Sequence, residues 1–224
     1  METVRNLLRV RLVLFLSVAS TALAERPSFG VKVGVPVSAV CQAENLGSIG
    51  SANSCADRYV IGPAVQIYIL PRLSLDISAL FTTVQLQGGA RLPNTAAFST
   101  QRNGTLWEFP IVPKYRFLKG DVSPFVGAGP TFRRITMDGQ NTIIPLTTVP
   151  GQPLTSVTPI TQTQWEAGLC LAAGIEFRTR AVRLTPEIRY LRWSSSEHTC
   201  DACGPYTLPL ARSNATVLLL DVSF

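Results

Sequence analysis

The chain has 224 residues, 46% of them hydrophobic and only 15% charged, against about 25% charged in an ordinary soluble domain. Past the N-terminus no run holds 18 uninterrupted apolar residues, which excludes a transmembrane helix. The formal charge of +6 is inflated by N-terminal arginines, and no Lys/Arg cluster is interleaved with aromatics, so nucleic-acid binding has no support.

Residues 1–24 read as a signal peptide. Arg5, Arg9 and Arg11 form a positive head, "LVLFLSVASTALA" is an apolar stretch too short for a membrane anchor, and Ala22-Leu23-Ala24 is a small-x-small cleavage site. No Cys follows it, so lipid attachment there is not expected. The mature chain is expected to be 25–224, outside the cytoplasm, with 17 bases against 13 acids.

From residue 25 onward, segments of about ten residues alternate in period two between turn-rich stretches. Eight strands are expected: 28–38, 60–70, 73–84, 105–117, 122–134, 163–178, 182–193 and 214–224. Strands two and three are joined by Pro71-Arg72, four and five by "LKGD", six and seven by "TRA". The other connections, 39–59, 85–104, 135–162 and 194–213, are long. Short turns at one end and long loops at the other are the habit of a transmembrane β-barrel, with the turns in the periplasm.

The two faces differ. One set of alternate positions is nearly all apolar, including Phe29, Val31, Val65, Ile67, Leu75, Phe109, Leu169, Ile188 and Tyr190. The opposite set carries Lys32, Asp76, Glu108, Lys114, Arg116, Arg133, Glu166, Glu176, Arg178, Arg183, Glu187, Arg189 and Asp221, six acids and seven bases. A soluble lipocalin-like barrel binding an apolar ligand would turn that charged set to water. A membrane barrel would turn it inward, where acids and bases pair. The mature chain has only three lysines, and arginine, suited to fixed ion-pair geometry, dominates. Trp107, Tyr115, Phe117, Trp165 and Phe177 lie near the ends of the apolar spans, where aromatic girdles form. These features favour the membrane barrel, its interior filled by an ion-pair network.

Of five cysteines, Cys41 and Cys55 bracket one polar stretch and Cys200 and Cys203 form "CDAC". Local disulfides 41–55 and 200–203 are the expected pairing in an oxidising compartment. Cys170, within a strand, is expected to be a packing residue. His198 is the only histidine, so a zinc site lacks ligands.

"FGVKVGVPVS", "WEFPIVPKYRF" followed by "SPFVGAGPTFR", "TPEIRYLRW" and the terminal "VLLLDVSF" together resemble the eight-stranded outer-membrane β-barrels of the opacity-protein and OmpA type. The resemblance spans the mature chain and contains no catalytic motif. It implies an antiparallel up-and-down barrel with outward loops, used for adhesion, surface contact or membrane integrity. Implied partners are outer-membrane lipid or lipopolysaccharide, a surface ligand of the loops, and the barrel-assembly machinery reading the terminal Phe224. No domain is expected after Phe224, and no cofactor is implied.

Eight strands are just wide enough for side chains to fill the interior, so a packed plug is expected and not a pore. Gly127, Gly129, Gly168 and Gly174 are expected to make room for long arginines. "SSSEH", 194–198, raises a lipid A-modifying enzyme as an alternative, but its Ser, Glu and His are neighbours in one loop, without the rigid scaffold catalysis needs. No enzymatic activity is expected. "NTIIPLTTV" and "LTSVTPITQ" are expected to pair as a hairpin rising beyond the membrane and offering an interaction surface. The sequons at Asn103 and Asn214 read as chance.

Overall fold

The computed structural model describes residues 27–37, 41–45, 50–56, 58–91, 96–145, 155–194 and 214–224. The signal sequence, Ser195–His198 of the polar motif, Cys200 and Cys203 lie outside the described residues.

Among the described residues eleven strands form one sheet: β1 (Ser28–Pro36), β2 (Cys41–Asn45), β3 (Gly50–Ala56), β4 (Val60–Leu70), β5 (Leu73–Ser78), β6 (Leu80–Arg91), β7 (Ala96–Arg116), β8 (Val122–Pro145), β9 (Ser156–Arg178), β10 (Arg183–Trp193) and β11 (Asn214–Ser223). Eight of them close a ring. Each of β4, β5, β7, β8, β9, β10 and β11 pairs antiparallel with the next, and β1 joins β11 to β4. The ring is an all-β, eight-stranded up-and-down barrel, and closure removes the unpaired edges an open sheet would expose.

The short connections lie at one end. Gly120, in the β7–β8 turn, has φ of +153°, a value L side chains rarely adopt. Its carbonyl accepts a hydrogen bond from the Ser123 hydroxyl at 3.1 Å. In the β9–β10 turn Thr179 N–H donates to the Val182 carbonyl at 3.0 Å. At the same end Phe224 N–H donates to Phe29 O at 2.9 Å, and Phe29 N–H returns to Phe224 O at 3.3 Å.

The other end is uneven. β1, β4, β10 and β11 have 9 to 11 residues, whereas β7, β8 and β9 have 21, 24 and 23. β6 continues β5 past Ala79, leaves β4 after Ile61↔Phe81, and pairs with β7 and β3. Gly62 permits this departure, since a Cβ there would stand 1.8 Å from the Ala79 carbonyl oxygen. A sheet of order β2-β3-β6-β7-β8-β9 thus rises from one side of the ring.

Residues 85–104 and 135–162, read from the sequence as loops, are therefore largely paired strand. Of the hairpin expected from 141–149 and 154–162, the described residues pair as expected, with Thr142↔Val157 and Ile143↔Ser156 the outermost pairs among them; residues 146–154 lie outside the described residues. The 39–59 connection holds the β2–β3 hairpin, in which Cys41 lies directly opposite Cys55.

Candidate functional site

Successive strand residues point to opposite faces, so each ring strand sends one parity inward. The inward parity is the charged set of the sequence. Lys32, Asp76, Glu108, Lys114, Arg116, Arg133, Glu166, Glu176, Glu187, Arg189 and Asp221 are all buried. Arg178 and Arg183 are only half-buried, at the turn end.

Six of these residues meet at the centre. Lys32 Nζ contacts Asp76 at 2.7 Å, Glu187 at 2.8 Å and Asp221 at 3.3 Å. Lys114 Nζ lies 2.7 Å from both Asp76 and Glu187. The Arg189 guanidinium contacts Asp76 at 3.1 Å and Glu187 at 2.7 Å, and donates to Ser78 Oγ at 3.1 Å. Three cations face three carboxylates, so the formal charge of the cluster is zero. An isolated charge here would cost several kcal/mol, and Asp76 and Glu187 avoid that with three cations each.

Two further groups flank this centre. At the turn end Glu176 is shared by Arg116 at 3.5 Å and by Arg178, while Arg183 donates to the Tyr68 hydroxyl. The guanidiniums of Arg116, Arg178 and Arg183 lie 4.6, 5.4 and 4.6 Å from the Tyr68 ring, a multiple cation–π arrangement. At the other end Glu108, Arg133 and Glu166 are cross-strand partners on β7, β8 and β9. Arg133 pairs with Glu166 and stacks on Trp193 at 4.3 Å.

Apolar belts complete the filling. Val60, Leu80, Val112, Cys170, Leu191 and Leu219 pack in one cluster with Trp193. Val84, Leu86, Leu106, Ile135 and Met137 form a second, beyond the Arg133 group. Cys170 is fully buried in the first belt.

Sequence reasoning missed two interior residues. Tyr68 lies on the inward parity of β4, a strand without a charge to mark that face. Arg102 is 1% exposed and donates to Gln162 at 3.2 Å; it shares the parity of Glu108, but lies in what was read as a loop. The glycines also need correction. A Cβ at Gly127 would meet Val112 and Lys114, one at Gly168 would meet Trp193, and one at Gly174 would meet Glu187. At Gly129 it would meet the Ile111 carbonyl oxygen and Pro113. They accommodate the neighbouring strand and its lysine, indole and carboxylate, not long arginines.

Outside, the ring is apolar. Phe29, Val31, Leu169, Leu171, Ile188, Leu218 and Leu220 are exposed there, with Phe29 at 64%. Phe81, Trp107, Phe109 and Trp165 form a continuous outward aromatic patch with ring spacings of 5.1, 6.3 and 6.1 Å. Tyr115 and Phe117 pair edge-on at the turn end, 5.6 Å apart. Above the upper patch the polarity of the two faces exchanges. β8 shows Val126, Phe132 outward and Arg133 inward below it, then Thr136, Asp138 outward and Ile135, Met137 inward above it.

Of the remaining sequence candidates, Ser194 is exposed and its hydroxyl donates to the Ala167 carbonyl at 2.8 Å. Arg192 is exposed on the apolar face, one residue from the end of β10. Phe224 is exposed beside the β1–β11 seam.

No protein-family model matches the chain, and no curated protein matches it. Among solved structures it is similar to the N-terminal β-barrel domain of Pseudomonas aeruginosa OprF, at 12% identity and a TM-score of 0.41, covering 89% of this chain and 97% of that one. It is similar to Ail, the attachment invasion locus protein of Yersinia pestis, at 9% identity and 0.42, covering 89% and 98%. A third is Neisserial surface protein A, at 15% and 0.39, covering 89% and 97%. Shared sequence is sparse at these identities, so the barrel's own side chains decide what it can do.

Proposed function

We propose that the chain is an outer-membrane β-barrel of a Gram-negative-type bacterium, with a structural, adhesive or surface-interaction role and no catalysis. The observation that carries this reading is the inside-out distribution of side chains: a neutral cluster of buried ion pairs within, an apolar belt without. Strands of 9 to 11 residues match the roughly 9–11 tilted residues that cross a bilayer. The filled interior supports a sealed barrel, and the rising sheet supplies its contact surface. Partners in this reading are outer-leaflet lipid, the assembly machinery at Phe224, and a surface ligand on the rising sheet.

The outward apolar belt speaks against a soluble barrel that holds an apolar ligand inside. The commitment of the Ser194 hydroxyl to Ala167 gives no support to a serine nucleophile in "SSSEH". Fractionation of expressing cells tests the proposal. The chain is expected in detergent-extracted outer membrane, cleaved before Glu25, with heat-modifiable gel migration. Recovery from the soluble periplasm without detergent overturns it. Vesicles carrying the folded chain are expected to show no sugar-driven swelling.

A further inference from the structure

Charge is spread unevenly along the barrel axis. The six central residues balance, and the Arg133 group sets one base against two acids. At the turn end three guanidiniums, of Arg116, Arg178 and Arg183, share the mouth with the Glu176 carboxylate. The short turns add Arg72, Lys119 and Arg180 against Asp121, all exposed. Residues 25–224 hold 17 bases and 13 acids. The turn end, among the described residues, has six of those bases and two of the acids, so the rest of the chain is balanced. The net charge of the chain past residue 24 stands at one mouth.

That mouth crowds like charges together. Arg178 and Arg183 are directly opposed across β9 and β10, a pairing that destabilises a sheet when both partners carry the same sign. With Arg116 they surround one Tyr68 ring, all three within 5.4 Å of its centre. Glu176 takes Arg116 and Arg178, and the Tyr68 hydroxyl accepts from Arg183. Arg116 Nε is buried with no acceptor among the described residues. Arg180, in the turn that joins Arg178 to Arg183, is exposed and makes no ion pair among the described residues. The turn itself is fixed: the Thr179 hydroxyl donates to Val182 O at 2.7 Å and accepts from Val182 N–H at 3.1 Å. Three arginines within six residues are thus held by a rigid hairpin, which lowers the cost of ordering them around a ligand.

We propose that this basic mouth binds a phosphate dianion, either inorganic phosphate or the terminal phosphate of a small phosphomonoester, on Arg178, Arg180 and Arg183. A phosphate carries close to two negative charges at neutral pH and three strong acceptor oxygens. Its charge matches the excess of two guanidiniums over Glu176, and its oxygens meet guanidinium forks in pairs. A single carboxylate brings half the charge. Arg178 and Arg183 lie on the inward parity, so a lipid headgroup beside the outer wall does not reach between them. The ligand arrives end-on from water, which in the membrane reading is the periplasm; the binding itself does not depend on that orientation.

The test is calorimetric titration of the full mature chain, folded in non-ionic detergent micelles, with inorganic phosphate, glycerol 3-phosphate and acetate at matched ionic strength. One phosphate is expected to bind per chain, with acetate at least tenfold weaker. The tighter of the two phosphates names the source. Arg180→Gln, at an exposed turn position, is expected to keep heat-modifiable migration and to weaken phosphate roughly tenfold, the worth of one charge-assisted hydrogen bond. Arg183→Lys is expected to keep part of the affinity that Arg183→Gln loses. Arg72→Gln, the same charge change in another turn of the same end, is expected to leave binding unchanged. Equal binding by Arg180→Gln, an equal loss in Arg72→Gln, or acetate binding as tightly as phosphate overturns the proposal. So does binding of phosphatidic acid in the micelle without binding of either soluble phosphate. Recovery of the chain from the soluble periplasm would overturn the membrane reading alone.

Discussion

The barrel body and the sheet above it share β7, β8 and β9, yet their faces are opposite. In the body, β7 and β8 turn Glu108, Lys114 and Arg133 inward and Phe109 and Phe132 outward. Above the tryptophan row the same strands turn Leu106, Ile135 and Met137 inward and Thr105, Thr136 and Asp138 outward. A period-two strand carries no information about which face is wet; the surroundings decide that. In the body charge lies inside and pairs, as the proposed lipid surroundings require; above the row the ordinary arrangement of an apolar interior returns.

That contrast can be broken from either side. The largest effect belongs to the central cluster. Lys114→Met leaves Asp76 and Glu187 short of a cation, and is expected to destabilise the folded barrel by about 3–5 kcal/mol, read from urea unfolding followed by gel migration. A native-like midpoint would mean that the interior pairing does not hold the body together. Next is the apolar filling of the upper sheet. Ile135→Ala is expected to lose about 2–4 kcal/mol in the same assay, though it lies only two residues from Arg133. The β2–β3 hairpin comes third: Cys41 and Cys55 are expected to resist thiol labelling until reduced. Reduction is then expected to open that hairpin to protease while the global midpoint stays fixed. Free thiols at Cys41 or Cys55 in the untreated chain would sink this pairing. The smallest effect is on the wet face, where Thr136 and Thr163 hydroxyls lie 3.4 Å apart. Thr163→Val is expected to shift stability by no more than about 0.5 kcal/mol, and a larger loss would sharpen the view that this row is structural.

Much of the body was legible in the sequence, because an apolar exterior and a packed, charged interior impose alternation along its strands. The segment 60–70 coincides with β4 end to end, and 182–193 with β10 but for Val182. The upper sheet was not legible for the same physical reason. The charge-and-apolar parity test loses its signal at 84, 105, 134 and 163, where the strands exchange faces and threonine, glutamine and glycine replace the contrast. Arg102 was lost with that segment. Ion-pair partners were not readable either, since Lys32 and Glu187 are 155 residues apart and meet only when the ring closes.

The Phe29–Phe224 seam has a consequence in time. Counting the ring strands alone, seven of the eight joints link neighbours along the chain. The eighth, β1 with β11, brings Gly30 to Ser223 through only seven paired positions. Loop entropy grows slowly with span, about 0.6 kcal/mol per doubling, so this joint is thermodynamically affordable but kinetically late. The hairpins can zip in any order; the seam must wait for all of them. Lys32 and Asp221 face each other across it, so the central charge cluster stays incomplete until the last strand arrives. Closure and neutralisation are one event, and a half-closed ring would leave Lys32 without Asp221 at its open flank.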